Sequence, residues 1–260
     1  MTNTSIIQEN QLIKLLDDIG EKSFLSKLQL VKLNQGEIIF EKGNVLSYSY
    51  FPTTAVISLV FESSDNSWLE MEAIRNDGIF GHPLIMDSLL SSHAIVQSSG
   101  YAYKIQTSVL KEEAIKSENL FMNLLKYQQL RMEKISQMSV CTRFHSIEQQ
   151  VCRILLDTLD HSFTDTVEIT HQTIANKLNV RRESISFCVA NLHREGLLRS
   201  LRGKIIVLDR KAIEGKVCEC YKVIVDATKA MYSPNHKKTY HIEQQHLKPE
   251  FKNLSQVQED

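Results

Sequence analysis

Residues 118–143, ENLFMNLLKYQQLRMEKISQMSVCTR, run without a single glycine or proline. One uninterrupted helix is the expected structure, because nothing in the stretch breaks a helical backbone. About 24 residues in one helix span roughly 36 Å at 1.5 Å per residue. A single small sheet domain does not cover that length. The stripe formed by Phe121, Leu124, Leu125, Gln128, Ile135 and Met138 is therefore expected to meet a second copy of itself, as in a two-stranded coiled coil. A helix folded back on its own domain is the other reading.

The helix also divides the chain. After an amphipathic opening segment (Leu12, Leu15, Leu16, Ile19), residues 28–107 contain the β-rich runs LQLVKL, GEIIFEKG, AVISLVF, WLEMEAI and YAYKI, broken by Gly, Asn, Asp and Ser. Short strands at regular spacing predict a rolled antiparallel sheet. Beyond the helix come SIEQQVCRILLDTL, a short strand VEIT, two further helices and a hairpin. The expected architecture is α+β, with an N-terminal jelly-roll-like β-roll (1–117), a dimerisation helix (118–145), a winged helix-turn-helix (146–225) and a polar C-terminal tail (226–260).

Composition narrows the function classes. With 42% apolar and 23% charged residues the chain is globular. Its start lacks the basic and apolar runs of a signal peptide, and no later segment has the length of a membrane span, so the cytoplasm is the expected compartment. Five cysteines without a CxxC or a paired zinc-type spacing argue against a disulfide framework. Net charge is −1, but residues 171–210 hold eight Lys/Arg against three Asp/Glu, whereas residues 1–80 hold six against eleven. That basic region is where a polyanion would bind with counterion release.

Within it, HQTIANKL and RRESISFCVANLHREG are joined by a turn short enough to force a helix-turn-helix angle. Asn179 stands where a left-handed backbone is needed. Ile174, Ala175 and Leu178 in the first helix, and Ile185, Cys188, Val189 and Leu192 in the second, form the inward faces. The outward side shows Arg182, Glu183, Ser186 and Phe187 at a helix start, which suits the major groove: Arg pairs with guanine O6 and N7, and Glu accepts from cytosine N4. Gly196 ends the helix, and LLRSLRGKIIVLD reads as a hairpin with a basic tip. The residues expected at DNA are Thr170, His171, Gln172, Arg181, Arg182, Glu183, Ser184, Ser186, Phe187, Arg202 and Lys204.

The segment ITHQTIANKLNVRRESISFCVANLHREGLLRSLRGKIIVLD resembles the winged helix of the cAMP receptor protein and Fnr superfamily of bacterial transcription regulators. The likeness covers most of residues 20–225. It implies a DNA-binding homodimer that works with RNA polymerase, with Arg182 and Glu183 as base readers and Phe187 where the founding member commonly has Arg. GEIIFEKGN and SYSYFPTTAVISL resemble the cyclic-nucleotide-binding roll of that family, with Gly36 and Gly43 at turns. Its phosphate-binding cassette runs from Gly-Glu to Arg-Ser/Thr-Ala. Here Gly81 and Ala94 keep the frame, but His82 replaces the Glu, and Ser92-His93 stands where Arg-Ser would be.

Losing a bidentate guanidinium removes a contact worth about 1.5–3 kcal/mol, so cAMP binding is not expected. Gly81, His82, Ser91, Ser92, His93 and Ala94 are left as the lining of a pocket for an unknown small-molecule effector. No cysteine precedes Cys141, which argues against an Fnr-type iron–sulfur cluster, while haem ligation by His82 or His93 stays open. Cys218-Glu219-Cys220 offers two thiols without evident partners to close a coordination shell, and no cofactor or metal is expected. His236, His241 and His246 are read as solvated. No phosphate loop, nucleophile elbow or metal triad marks an enzyme. A protein-interaction module or a thiol-responsive regulator is the alternative.

Overall fold

The computed structural model describes residues 10–62, 68–81, 91–162 and 164–233. Helix α1 (Gln11–Asp18) starts at Asn10, whose side-chain oxygen accepts from Leu12 N at 3.1 Å and Ile13 N at 3.0 Å. The same amide donates to Pro52 O at 2.8 Å and Gly78 O at 2.9 Å, so one buried side chain caps the helix and fixes it to the sheet domain. Helix α2 (Lys22–Leu25) turns Phe24 edge-on to Phe51, ring centroids 5.7 Å apart.

Among the described residues seven strands follow: β1 (Gln29–Leu33), β2 (Ile38–Phe40), β3 (Tyr48–Pro52), β4 (Val56–Glu62), β5 (Trp68–Ile74), β6 (His93–Ser98) and β7 (Gly100–Gln106). They form two antiparallel sheets, ordered β1-β7-β3 and β2-β6-β4-β5. Leu33, Phe40, Ile57, Ile74, Phe80, Ala94, Val96 and Ala102 form their shared core. This is the expected roll, with Gly36 and Gly43 at φ of 83° and 84° in its turns. Five strands coincide with the β-rich runs of the sequence. The other two, β3 with its proline and β6 behind a run of serines, carry too weak a local signal and are fixed by pairing with β7 and β4.

Helix α3 (Thr107–Lys116) leads through the Ser117 cap into α4 (Glu118–Phe144), 27 residues long. Its first half lays Leu120, Leu124, Tyr127 and Leu130 into a core with Leu12, Leu16, Phe24, Phe51 and Ile79. The structure thereby corrects the expected dimer stripe. Leu124 is wholly enclosed in its own chain, Phe121 packs against the same core, and Ile135 and Met138 line a cleft shared with Arg153, Ile154 and Ile224. Leu125 and Gln128 are half-buried. Exposed apolar residues of α4 include Met122 (44%), Met132 (57%) and Val140 (42%). Met122, Leu125, Gln129, Met132, Ser136 and Ser139 recur at the 3/4 spacing of a heptad; three of the six are polar, and all but the half-buried Leu125 are exposed.

Helix α5 (Ile147–Asp160) opens with a capping box between Ser146 and Gln149. Strand β8 (Thr166–Val167), α6 (His171–Leu178), α7 (Arg182–Arg194), β9 (Leu198–Leu201), β10 (Lys204–Val207) and α8 (Arg210–Lys216) complete the unit. Val151, Leu155, Ile174, Ala175, Ile185, Val189, Leu192 and Ile205 make its core. Helix α9 (Glu219–Tyr232) then packs back along α4. Its extent corrects the boundary expected at 226: Met231 is buried in the α1–α4 core and Tyr232 OH donates to Asp77 O. The sequence there is polar on one face only, which hides a half-buried helix. Residues 234–260, the rest of the expected tail, lie outside the described residues.

The roll and the winged unit meet through charge. Lys134 of α4 reaches Asp77 at 2.6 Å, His161 Nε2 approaches the same carboxylate at 3.3 Å, and Arg75 pairs with Asp157 at 3.1 Å. Burial alone would raise the Asp77 pKa, but Lys134 and His161 outweigh it and hold the group well below the usual carboxylate range. Burial would lower His161, and contact with Asp77 reverses this and raises it. A raised folded-state pKa stabilises fully below the unfolded value of about 6.5 and is lost as pH rises through the folded value. Thermal melts from pH 6 to 9 should therefore show wild-type stability falling with pH, and His161→Gln should flatten that slope. Chemical denaturation of Leu124→Ala should show a loss of about 2–5 kcal/mol, as for other enclosed leucines.

Candidate nucleic-acid interface

Two short helices set the geometry. α6 is capped by Thr170, whose hydroxyl accepts from Thr173 N at 3.0 Å, and it ends at Asn179 with φ 51° and ψ 47°. That left-handed residue lets Val180 N return to Ala175 O at 3.0 Å and swings the chain into α7. Ile174, Ala175 and Leu178 then close on Ile185, Val189 and Leu192, so the outer side of α7 is fixed in orientation by its inner side.

The N-terminus of α7 points outward. Arg181 is its N-cap without a side-chain capping hydrogen bond, and Arg181, Arg182 and Glu183 are all exposed. The first-turn amides carry the positive end of the helix dipole, a natural seat for phosphate. One turn on, Phe187 is 66% exposed. Ala190 continues the same face at i+7 from Glu183 and is also exposed. The sequence reading did not single it out, although the 183–187–190 spacing was there to be read.

Beside α7 lies the wing. Strands β9 and β10 pair Leu201 with Lys204 across Arg202 and Gly203, the latter at φ 79°. Arg202, Lys204 and Arg199 are exposed, and Arg199 is a further cation that the sequence reading left out. His171 ties these parts together: its Nδ1 is 3.1 Å from Ser186 Oγ of α7 and its Nε2 is 3.2 Å from Ser200 Oγ of β9. Burial, helped by the charge of Arg182, lowers its pKa and favours neutral imidazole. His171 and Ser186 thus act as struts within the unit, and Ser184 is half-buried. Gln172 is exposed and donates to Asn176 Oδ1 at 2.8 Å.

Other cations of this region are engaged elsewhere. Lys177 pairs with Glu70 of β5 at 2.5 Å, and Arg210 with Asp160 at 2.5 Å and Glu214 at 2.8 Å. The positive charge offered outward at the start of α7 and on the wing is carried by Arg181, Arg182, Arg199, Arg202 and Lys204.

The expected effector residues do not converge in the same way. His82 lies outside the described residues. Gly81 has φ 79°, and its carbonyl accepts from Ser49 Oγ; a Cβ there would come to 3.0 Å from Tyr48 O, so the strand crossing requires glycine. Ala94 is buried between the sheets, whereas neighbouring His93 alternates to the outer face, 5.2 Å from the Trp68 ring and 3.8 Å from Glu62. Ser92 is buried and Ser91 exposed. His93 and Ala94 thus face opposite sides of one sheet.

Residues 149–215 match the family model described as a Crp-like helix-turn-helix domain. No curated relative matches the chain by sequence. Among solved structures, FixK2 from Bradyrhizobium japonicum superposes with a TM-score of 0.65 at 14% identity, covering 74% of this chain and 98% of that one. A CRP-family transcriptional regulator from Thermus thermophilus gives 0.62 at 18% identity, covering 72% and 95%. The c-di-GMP-responsive global regulator CLP from Xanthomonas campestris gives 0.60 at 15%, covering 73% and 99%. At these identities the likeness is one of fold. The chain therefore carries a Crp-like helix-turn-helix domain within the fold shared by Crp/Fnr-superfamily regulators.

Proposed function

We propose that the protein is a sequence-specific, DNA-binding transcription regulator of the Crp/Fnr type that acts as a dimer. The observation that carries this reading is the exposed start of α7, free of a side-chain cap, with Arg182 and Glu183 beside a basic wing. Arg182 and Glu183 read base edges in the major groove; Arg199, Arg202 and Lys204 grip the flanking phosphates. Phe187 and the Ala190 methyl supply apolar contacts, suited to thymine methyl groups.

Dimerisation uses the open seam of α4, Met122, Leu125, Met132 and Val140, which sets two recognition helices about one DNA turn, 34–36 Å, apart. The effector of the roll is not cAMP: no arginine stands at the phosphate position, and His93 points out of the sheet interior. RNA polymerase is the partner that a promoter-bound regulator of this type would engage.

Docking of the winged unit on the roll through Lys177–Glu70 and Arg75–Asp157 supports regulation by a shift between docked and released arrangements.

Binding titrations of Arg182→Ala against its cognate site and its single-base variants should show a loss of about 1–3 kcal/mol together with relaxed preference at one base pair. Lys204→Ala should weaken cognate and random DNA alike and reduce the salt slope by about 1. Equal behaviour of the two variants would sink the assignment of Arg182 as a base reader. Sedimentation of Met132→Glu should show a monomer whose melting temperature resembles that of wild type below its dimer dissociation constant; a persisting dimer would place the interface elsewhere.

A further inference from the structure

The last turn of α4 and the first turn of α9 bring together four side chains from two distant parts of the sequence. Cys141 faces inward from α4, and His145 is that helix's C-cap four residues on. Cys218 is the N-cap of α9 and Cys220 lies in its first turn. The two thiols that the sequence left without partners thus acquire two. All three cysteines are buried free thiols. Their three sulfurs and one imidazole nitrogen lie within 4.8 Å of one another. We propose that Cys141, His145, Cys218 and Cys220 form a mononuclear Cys3His metal site for Zn2+.

Two of the approaches already match the edges of one tetrahedral ion, and the whole set, within 4.8 Å, needs a contraction of at most about 1 Å to close on it. Zn–S bonds of about 2.3 Å and Zn–N bonds of about 2.0–2.1 Å give tetrahedral edges of about 3.8 Å between sulfurs and about 3.6 Å between sulfur and nitrogen. Cys141 Sγ is 3.6 Å from Cys218 Sγ, and Cys220 Sγ is 3.4 Å from His145 Nδ1. A cluster of several irons spreads its cysteine sulfurs over different metal atoms and needs a wider cage. Four closed ligands of this softness select zinc in a structural role.

The surroundings are those of a metal site too. With Nδ1 turned to the sulfurs, His145 Nε2 lies 3.1 Å from Glu219 Oε1, the carboxylate–histidine arrangement that orients a metal-bound imidazole. Buried Arg153 donates from Nε to Cys141 Sγ at 3.3 Å, and Gln137 Nε2 donates to Cys220 Sγ at 3.0 Å. A guanidinium aimed at sulfur in the interior answers a thiolate far better than a neutral thiol. On binding, three S–H protons pass to solvent, three Zn–S bonds form and neutral His145 gives its Nδ1 lone pair. The resulting charge of −1 is offset by Arg153.

The site sits where it can matter. The winged unit starts at Ile147, just after His145, and its last helix ends at Lys216, just before Cys218. One ion would thus hold both connections of that unit to the long helix. The site rests on ligand geometry and is independent of DNA binding.

The test is metal analysis of the full chain purified under reducing conditions without chelator. About one zinc per chain is expected, restored by Zn2+ after stripping, and Co2+ should give a tetrahedral d–d spectrum with thiolate charge-transfer bands. Cys220→Ser and His145→Asn should lose stoichiometric Zn2+ in competition with a chromophoric chelator, and Cys188→Ala should keep it. Glu219→Gln should keep the stoichiometry and weaken affinity about 10–100-fold. Circular dichroism shows whether each variant folds, and Glu219→Gln tests the site even if a cysteine variant does not. Failure of wild type to bind Zn2+ or Co2+, iron with sulfide in its place, a Cys141–Cys218 disulfide in the purified protein, or equal binding by Cys220→Ser and Cys188→Ala would overturn the site.

Discussion

Three parts of the molecule converge on Asp77. Lys134 comes from the long helix and His161 from the end of α5, while the Tyr232 hydroxyl, in the last turn of α9, donates to the backbone carbonyl of the same residue. A carboxylate in so enclosed a place is tolerable only while its partners are present, since removing one leaves an uncompensated buried charge. That makes the contact demanding as well as stabilising: while Asp77 is buried, Lys134 and His161 must both be in place to compensate its charge. Ionic junctions of this kind specify an arrangement more than they strengthen it, and they can rearrange in a way that an apolar core cannot.

The long helix obeys the same division. Its first half is bound by apolar burial, through Leu120, Leu124 and Leu130, and is part of the roll. Its second half is held by Arg131–Glu72 and Lys134–Asp77, and at its end by the cysteine and histidine cluster shared with α9. Polar contacts of this kind can be replaced by water or by another partner, so the second half of the helix can change its neighbours without unfolding.

Much of this could be read from the chain. The helix-turn-helix was the clearest part, because the local signals agreed: Asn179 at the left-handed turn, the 3/4 spacing of Ile185, Val189 and Leu192, and Gly203 in the wing all stand as the sequence indicates. Strands β3 and β6 were less legible, since their partners are distant in sequence and neither alternates cleanly. Of the stripe expected on α4, Leu124 turns into its own chain and Phe121 packs against the same core. Periodicity reveals that a helix has an apolar side, but α4 has two, and only the structure shows that Leu124 belongs to the inner one and Met132 to the outer. Of the cysteine–histidine set only the Cys218–Cys220 half could be seen, for a different reason: Cys141 and His145 are brought to it by α9 doubling back, and no short spacing records that return.

Two of the exposed apolar residues on the outer face of α4 are methionines, Met122 and Met132. Thioether side chains have three rotatable bonds and a polarisable sulfur, so they fill irregular gaps and do not demand one partner geometry. A seam of β-branched residues would lock two helices into a single register, because each knob has one hole of the right shape. Were two copies to pair on this face, methionines would let neighbouring registers lie close in energy, and a small rotation at the roll end would be absorbed as sliding between the helices. In such a dimer the interface would be a lubricated bearing, joining the two chains while leaving them room to move past one another.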